Sequence, residues 1–322
     1  MRLLRRSFLL GAGATSAIAA CVSTQAPSSD VSSAQAGVAE ARYPPLGSLY
    51  QVGDQQVHAT DQGQGQPVIM IHGASGNVRD FTFDLTSPLA KKYRVIAMDR
   101  PGFGYSTRST QDEAWHPSAQ AAQLRTAAKE MGVEKPILVG HSWGASVALA
   151  WALDAPDEVA GVVAASGAMM PWGTLANVVN SLGVNNLIVG YYNRSMTRRA
   201  ETGGIEDFID RAFRPQSPPP GYTDYIGGAL AVRDKTVAAN GDDLANTQTA
   251  LLELSIRYGE LSVPLEVMHG DSDWLLSFDQ HALGIANAAP NVRVTRLPGV
   301  GHMAHHARPD VLAEAIARVS AV

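Results

Sequence analysis

Three short, wholly apolar runs, residues 68–71, 95–98 and 137–139, constrain this chain more than any other feature of its sequence. None shows polar alternation, as expected of a β-strand whose sheet is covered on both faces. Helical patterns stand among them. Residues 118–131 carry Ala, Leu and charged groups at helical spacing, and residues 143–153 are almost wholly apolar. Strands alternating with helices predict a mostly parallel sheet with helices on both faces, an α/β architecture.

Further strands are expected at 48–52 and 56–60, a hairpin turning at Gly53-Asp54, and at 159–165, 265–268 and 292–297, which makes roughly eight in all. Residues 309–319 read as a closing amphipathic helix with Asp310 in its first turn. The rhythm breaks between 169 and 262, where no strand alternates with helix and Pro218-Pro219-Pro220-Gly221 marks an irregular turn. That stretch reads as a helical cap inserted after the sixth strand, between core segments 46–168 and 263–322.

The first twenty residues read as an export address. Arg2, Arg5 and Arg6 precede an apolar run, 8–20, that is too short to span a bilayer. Arg5-Arg6-Ser7-Phe8-Leu9 resembles the twin-arginine signal, although Leu4 stands where that signal usually has Ser or Thr. The single cysteine, Cys21, ends Ile18-Ala19-Ala20-Cys21, which resembles the lipobox of bacterial lipoproteins. Lipidation of Cys21 is therefore expected, with Val22 after it favouring an outer-membrane anchor that faces the periplasm. A soluble secreted protein cut near Ala20 is the alternative. Residues 21–45 are rich in Ser, Ala, Gln and Pro, which predicts a flexible tether and a fold that begins near Leu46. A net charge of −5 offers no basic field, so nucleic acid is not an expected partner.

Chemistry concentrates at Gly140-His141-Ser142-Trp143-Gly144, between the strand 137–139 and the helix 143–153. This is a G-x-S-x-G elbow. A serine there sits on a sharp turn, and small residues two positions either side let strand and helix approach. Ser142 is the candidate nucleophile. It needs a base to take its proton and donors aimed at the oxyanion that forms. His72-Gly73-Ala74-Ser75-Gly76 follows the strand 68–71, so the Ala74 N–H pairs with the Trp143 N–H as an oxyanion hole, Ser75 being a second possible donor.

Ile71-His72-Gly73, then Asp99-Arg100-Pro101-Gly102-Phe103-Gly104-Tyr105-Ser106, then residues 140–144 resemble, in order and spacing, the capped α/β-hydrolase superfamily. The resemblance runs from about Leu46 to Val322. It implies that the Asp99–Ser106 segment is a structural turn, so Asp99 and Arg100 are assigned no chemistry. It also implies the chain order Ser, acid, His. His269-Gly270-Asp271-Ser272-Asp273 then places the acid at Asp273, with Asp271 as competitor, and Pro298-Gly299-Val300-Gly301-His302 places the base at His302. His302, His305 and His306 are not expected to bind metal, since no carboxylate or cysteine stands at a convincing spacing. No cofactor is expected.

The nucleophile excludes two relatives that the resemblance brings in, epoxide hydrolases and haloalkane dehalogenases, which use aspartate at the elbow. A small or medium acyl ester is the expected substrate. A lactone, a carbon–carbon bond or a proline-type aminopeptide on the same Ser142–Asp273–His302 triad is the alternative, and a non-catalytic binding module is the alternative of another class. Peptidase action would need an acid in the cap for the substrate amine, from Glu201, Glu206, Asp207 or Asp210. Residues 177–192, apolar and interrupted by glycine, are read as core-packing rather than lipid-facing.

Overall fold

The computed structural model describes residues 29–173 and 204–321. At its centre lies one eight-stranded sheet: β1 (Ser48–Val52), β2 (Gln55–Gln62), β3 (Pro67–Ile71), β4 (Arg94–Met98), β5 (Ile137–His141), β6 (Gly161–Ala165), β7 (Leu265–Gly270) and β8 (Val292–Leu297). The spatial order is β1-β2-β4-β3-β5-β6-β7-β8. β2 is antiparallel to β1 and β4, whereas β4, β3, β5, β6, β7 and β8 pair in parallel. The sheet is thus mixed only at its hairpin end.

The apolar runs are uniform because both faces of the strands they form are buried. Ile69, Ile71, Ile96, Met98 and Leu138 face one core, with Leu124 from the helix Pro117–Glu130 and Leu149 from the helix Trp143–Asp154. Val68, Met70, Val95, Ala97, Ile137 and Val139 face the other, with Leu312 and Ile316 from the helix Pro309–Ser320. Each fully buried Val, Leu, Ile or Met among them contributes about 1.5–3 kcal/mol of transfer free energy. The edge strand β1 is mostly exposed, so alternation appears there instead.

From β3 the chain passes to β4 on one side and then crosses to β5 on the other, with Ile71 opposite Gly140. At such a switch point the loops after adjacent strands diverge and leave a crevice at the carboxyl edge. The loops after β3 and β5 carry Gly73 and Ser142. Between β6 and β7, the described residues from 204 onward hold helices Ile205–Phe213, Tyr222–Tyr225, Gly228–Ala231 and Asp234–Ser255 and no strand.

One expectation is corrected. Residues 29–42, expected to be part of a flexible tether, are the helix Ser29–Arg42, and its last turns and the residues after it contact the rest of the fold. Glu40 pairs with Arg233 at 2.6 Å, and Arg79 Nη2 donates to Pro44 O at 2.7 Å. The segment is rich in alanine, the best helix former, and its anchors are mainly polar, so no apolar periodicity announces them.

Candidate active site

Ser142 ends the crossing from β5 to the helix Trp143–Asp154 with φ 53° and ψ −120°, a left-handed conformation that a serine adopts only under constraint. The flanking glycines supply that constraint. A Cβ on Gly140 would lie 2.5 Å from Ala145 Cα, and one on Gly144 2.1 Å from Ile71 O. Gly73 is held just as closely, since its Cβ would come within 2.9 Å of Ser142 Cβ. The loop after β3 therefore lies directly against the elbow, and Ser142 itself stays half-buried.

Trp143 is the first residue of its helix, so its N–H has no acceptor within the helix. Ala74 is half-buried on the loop beside Ser142. The Ser75 N–H, by contrast, donates to Asn240 Oδ1 at 2.9 Å, which engages the donor that was the alternative to Ala74.

Asp273 follows β7 and His302 follows β8, and their side chains meet with His302 Nδ1 2.8 Å from Asp273 Oδ2. Asp273 Oδ1 accepts the N–H groups of Leu275 and Leu276 at 2.9 and 3.0 Å, and His269 Nε2 lies 3.3 Å from Oδ2. Burial works to raise this carboxyl, but hydrogen bonds from His269 and His302, the His302 charge and the Leu276 N–H outweigh it and hold the group well below the usual carboxylate range. Asp271 is engaged elsewhere. It accepts from Gly299 N at 2.7 Å and Arg296 Nε at 3.1 Å, closing the turn after β8.

Asp99 and Arg100 do what a structural turn requires. Asp99 accepts from Val78 N, Tyr105 N and His58 at 2.7–2.8 Å, and a Cβ on Gly104 would fall 1.9 Å from its Oδ2. Arg100, fully buried, donates to His72 O and Gly73 O at 3.0 and 3.1 Å.

Sequence reasoning missed a buried group beside the elbow. His305 Nε2 and His306 Nε2 lie 3.2 and 2.9 Å from the two oxygens of Asp80, and Tyr222 Oη donates to Asp80 at 2.7 Å. Asp80 is the carboxylate partner that spacing did not disclose, because it comes from more than 200 positions away. One ligand atom from each of Asp80, His305 and His306 lies within 4.8 Å of the others, a set compatible with a metal ion. The same atoms are also satisfied by one another, with His306 and Asp80 as an ion pair. His141, in the elbow, stands between this group and His302: its ring centroid is 4.1 Å from that of His305 and 4.9 Å from that of His302.

The inserted segment reaches these loops. Gln216 bonds Gly299 O and Gly301 N at 2.8 and 2.9 Å, and the Trp274 indole donates to Arg211 O at 2.8 Å. Trp274 and Leu275, next to Asp273, are exposed apolar side chains at the rim. Glu206, Asp207 and Asp210 lie on the helix Ile205–Phe213. Cys21, the export segment 1–20, residues 177–192 and Glu201 lie outside the described residues.

Comparison with known proteins agrees with this fold. Residues 66–184 match a family described as alpha/beta hydrolase fold. The 2-hydroxy-6-oxo-6-phenylhexa-2,4-dienoate hydrolase of Burkholderia cepacia is 27% identical over 268 residues, 79% of this chain and 87% of that protein. Among solved structures, a bromoperoxidase from Bacillus anthracis superposes with a TM-score of 0.69 at 19% identity, over 85% of this chain and 99% of that one. A thermophilic esterase from Thermogutta terrifontis does so at 0.64 and 21%, over 84% and 95%. This chain has the α/β-hydrolase fold, matches that family over residues 66–184, and is an enzyme.

Proposed function

We propose that this enzyme is a serine hydrolase that cleaves a carboxylic ester-type bond, with a small or medium acyl group, through an acyl-enzyme on Ser142. The observation that carries the reading is the Asp273–His302 pair at 2.8 Å, delivered to the sheet edge where Ser142 occupies its strained turn. With Nδ1 engaged by Asp273, Nε2 is the ring nitrogen of His302 left free of that pair, the one the reaction calls on to take the serine proton. His302 takes the Ser142 proton as Oγ attacks the carbonyl carbon, then returns it to the leaving alcohol. Water, deprotonated by the same imidazole, releases the acid. The N–H groups of Ala74 and Trp143 stabilise the tetrahedral oxyanion, where losing one donor typically costs about 10²- to 10³-fold in rate. Nothing in this sequence of steps calls on a cofactor or metal.

Fluorophosphonate labelling and a panel of p-nitrophenyl esters, lactones and aminoacyl anilides test the reading. Covalent labelling that disappears in Ser142→Ala, with ester turnover unaffected by EDTA, is expected. Cleavage of the anilides alone would exclude an esterase.

A second reading has its own support. The Burkholderia cepacia relative acts on a 2-hydroxy-6-oxo dienoate, and its similarity extends over 79% of this chain. Carbon–carbon cleavage of such a ketone by the same residues is therefore the alternative, and the dienoate belongs in the substrate panel.

We propose further that residues 169–262 act as a cap over the crevice, supported by the bonds from Gln216 and Arg211 to the rim. Export and a lipid on Cys21, anchoring the enzyme at the periplasmic side of a membrane, complete the proposal on the strength of residues 1–21. Metabolic labelling with an alkyne fatty acid, expected in the full chain and lost in Cys21→Ala, tests that part.

A further inference from the structure

We infer that Arg100, with Asn240 and Asp243 of the inserted helix Asp234–Ser255, holds the oxyanion loop in its working orientation, so that turnover at Ser142 depends on a contact supplied by the insertion. This rests on the serine-hydrolase reading above.

A trans peptide is a rigid plane in which the carbonyl of one residue and the N–H of the next point in opposite directions. The Gly73 carbonyl and the Ala74 N–H share one such plane. Gly73 O lies 3.1 Å from Arg100 Nη2, 2.8 Å from His72 Nδ1 and 3.4 Å from Gly76 N, so three donors fix the carbonyl and thereby the direction of the Ala74 N–H. The following residue is fixed as well: Ser75, at φ 58°, donates its N–H to Asn240 Oδ1 at 2.9 Å. Ala74 is thus held from both sides.

The Arg100 guanidinium has no exposure, and three of its contacts bear on this loop or on its counter-charge. Nε donates to His72 O, Nη2 to Gly73 O, and Nη1 to Asp243 Oδ2 at 2.7 Å. Asp243 also receives Arg108 at 2.6 Å and Gln120 at 3.1 Å. A cation without water must be neutralised by a fixed anion, and here the inserted helix supplies it. Asn240 and Asp243, three positions apart, lie on one face of that helix. One face therefore holds the loop both directly and through Arg100. A guanidinium serving only to tie the insertion to the core would not need two of its nitrogens on the carbonyls immediately before the proposed donor. We assign Arg100, Asn240 and Asp243 as positioning residues.

The test uses wild type, Arg100→Lys, Asn240→Leu and Asn240→Asp, with p-nitrophenyl acetate as substrate and phenylboronic acid as an analogue of the tetrahedral adduct. Fluorophosphonate labelling of wild type, lost in Ser142→Ala, checks the hydrolase reading separately, and its failure sinks both readings. With labelling present, Arg100→Lys and Asn240→Leu are expected to lower kcat about 100-fold, to leave KM within about twofold and to weaken the boronate by the same factor as kcat. Asn240→Asp keeps an acceptor for the Ser75 N–H and is expected to retain kcat within about threefold. Unchanged kcat in folded Arg100→Lys and Asn240→Leu, or a loss confined to KM, overturns the inference. Should Arg100→Lys fail to fold, the two Asn240 variants decide it, and equal turnover in both overturns it.

Discussion

His141 Nε2 stands 3.2 Å from the backbone carbonyl oxygen of His302, so the residue before the proposed nucleophile holds the loop that carries the proposed base. Burial first, and then the charges of His305 and His302, keep this imidazole neutral, well below its ordinary range. A neutral ring has one N–H to give, and the carbonyl claims it at Nε2.

Replacing His141 by Leu removes that donor and leaves the His302 carbonyl unpaired. Turnover is expected to fall by about tenfold with little change in KM, because the base loses alignment rather than the substrate losing contacts. Steady-state kinetics on an ester substrate checks this, and a Gln able to donate to the same carbonyl is expected to recover part of the loss.

The elbow stores strain that stability measurements can read. Ser142→Gly places at φ 53° a residue that tolerates it, which recovers part of a backbone cost of about 1–3 kcal/mol, offset by the greater freedom of glycine when unfolded. A net gain of about 1 kcal/mol in unfolding free energy is expected, together with complete loss of turnover. A denaturant titration that shows destabilisation would mean that the serine is not strained.

Asp273 and Asp271 separate cleanly as test sites. Asp273→Asn can donate to His302 Nδ1 and so favours the wrong tautomer, for which a loss of about 10⁴ in kcat is expected. Asp271→Asn weakens only the turn held through Gly299 and Arg296, and is expected to cost less than about tenfold. The lowered pKa of Asp273 also sets a sign: its stabilisation is present above the usual carboxylate range and is lost as pH falls through the folded value.

His306 sets the alkaline limit. Burial opposes its charge, but hydrogen bonds to Asp80 and Asp84 and their charges raise its pKa from 6.5 to about 9. A raised pKa means that the stabilisation is full below the unfolded value of 6.5 and is lost as pH rises through about 9, a term of order 3 kcal/mol. Thermal melts between pH 6 and 10 are expected to show Tm falling across this window in the wild type. His306→Gln should be less stable at pH 6 and should lose that dependence.

Local chemistry made the sheet and the elbow legible in the sequence. Strands buried on both faces must be apolar throughout, and only glycine fits at 140 and 144, where any Cβ would meet backbone atoms within about 2.5 Å. The acid and base were placed by chain order, but the sequence left Asp271 and Asp273 open, since both follow β7 two residues apart. Tertiary structure brings His302 to Asp273 and Gly299 to Asp271, a difference no local pattern carries. The helix Ser29–Arg42, the Asp80 group and the contacts of Asn240 with Ser75 and of Asp243 with Arg100 were invisible for one reason. They rest on polar contacts between residues far apart along the chain, most of them more than 100 positions, and such contacts leave no periodicity for a sequence to display.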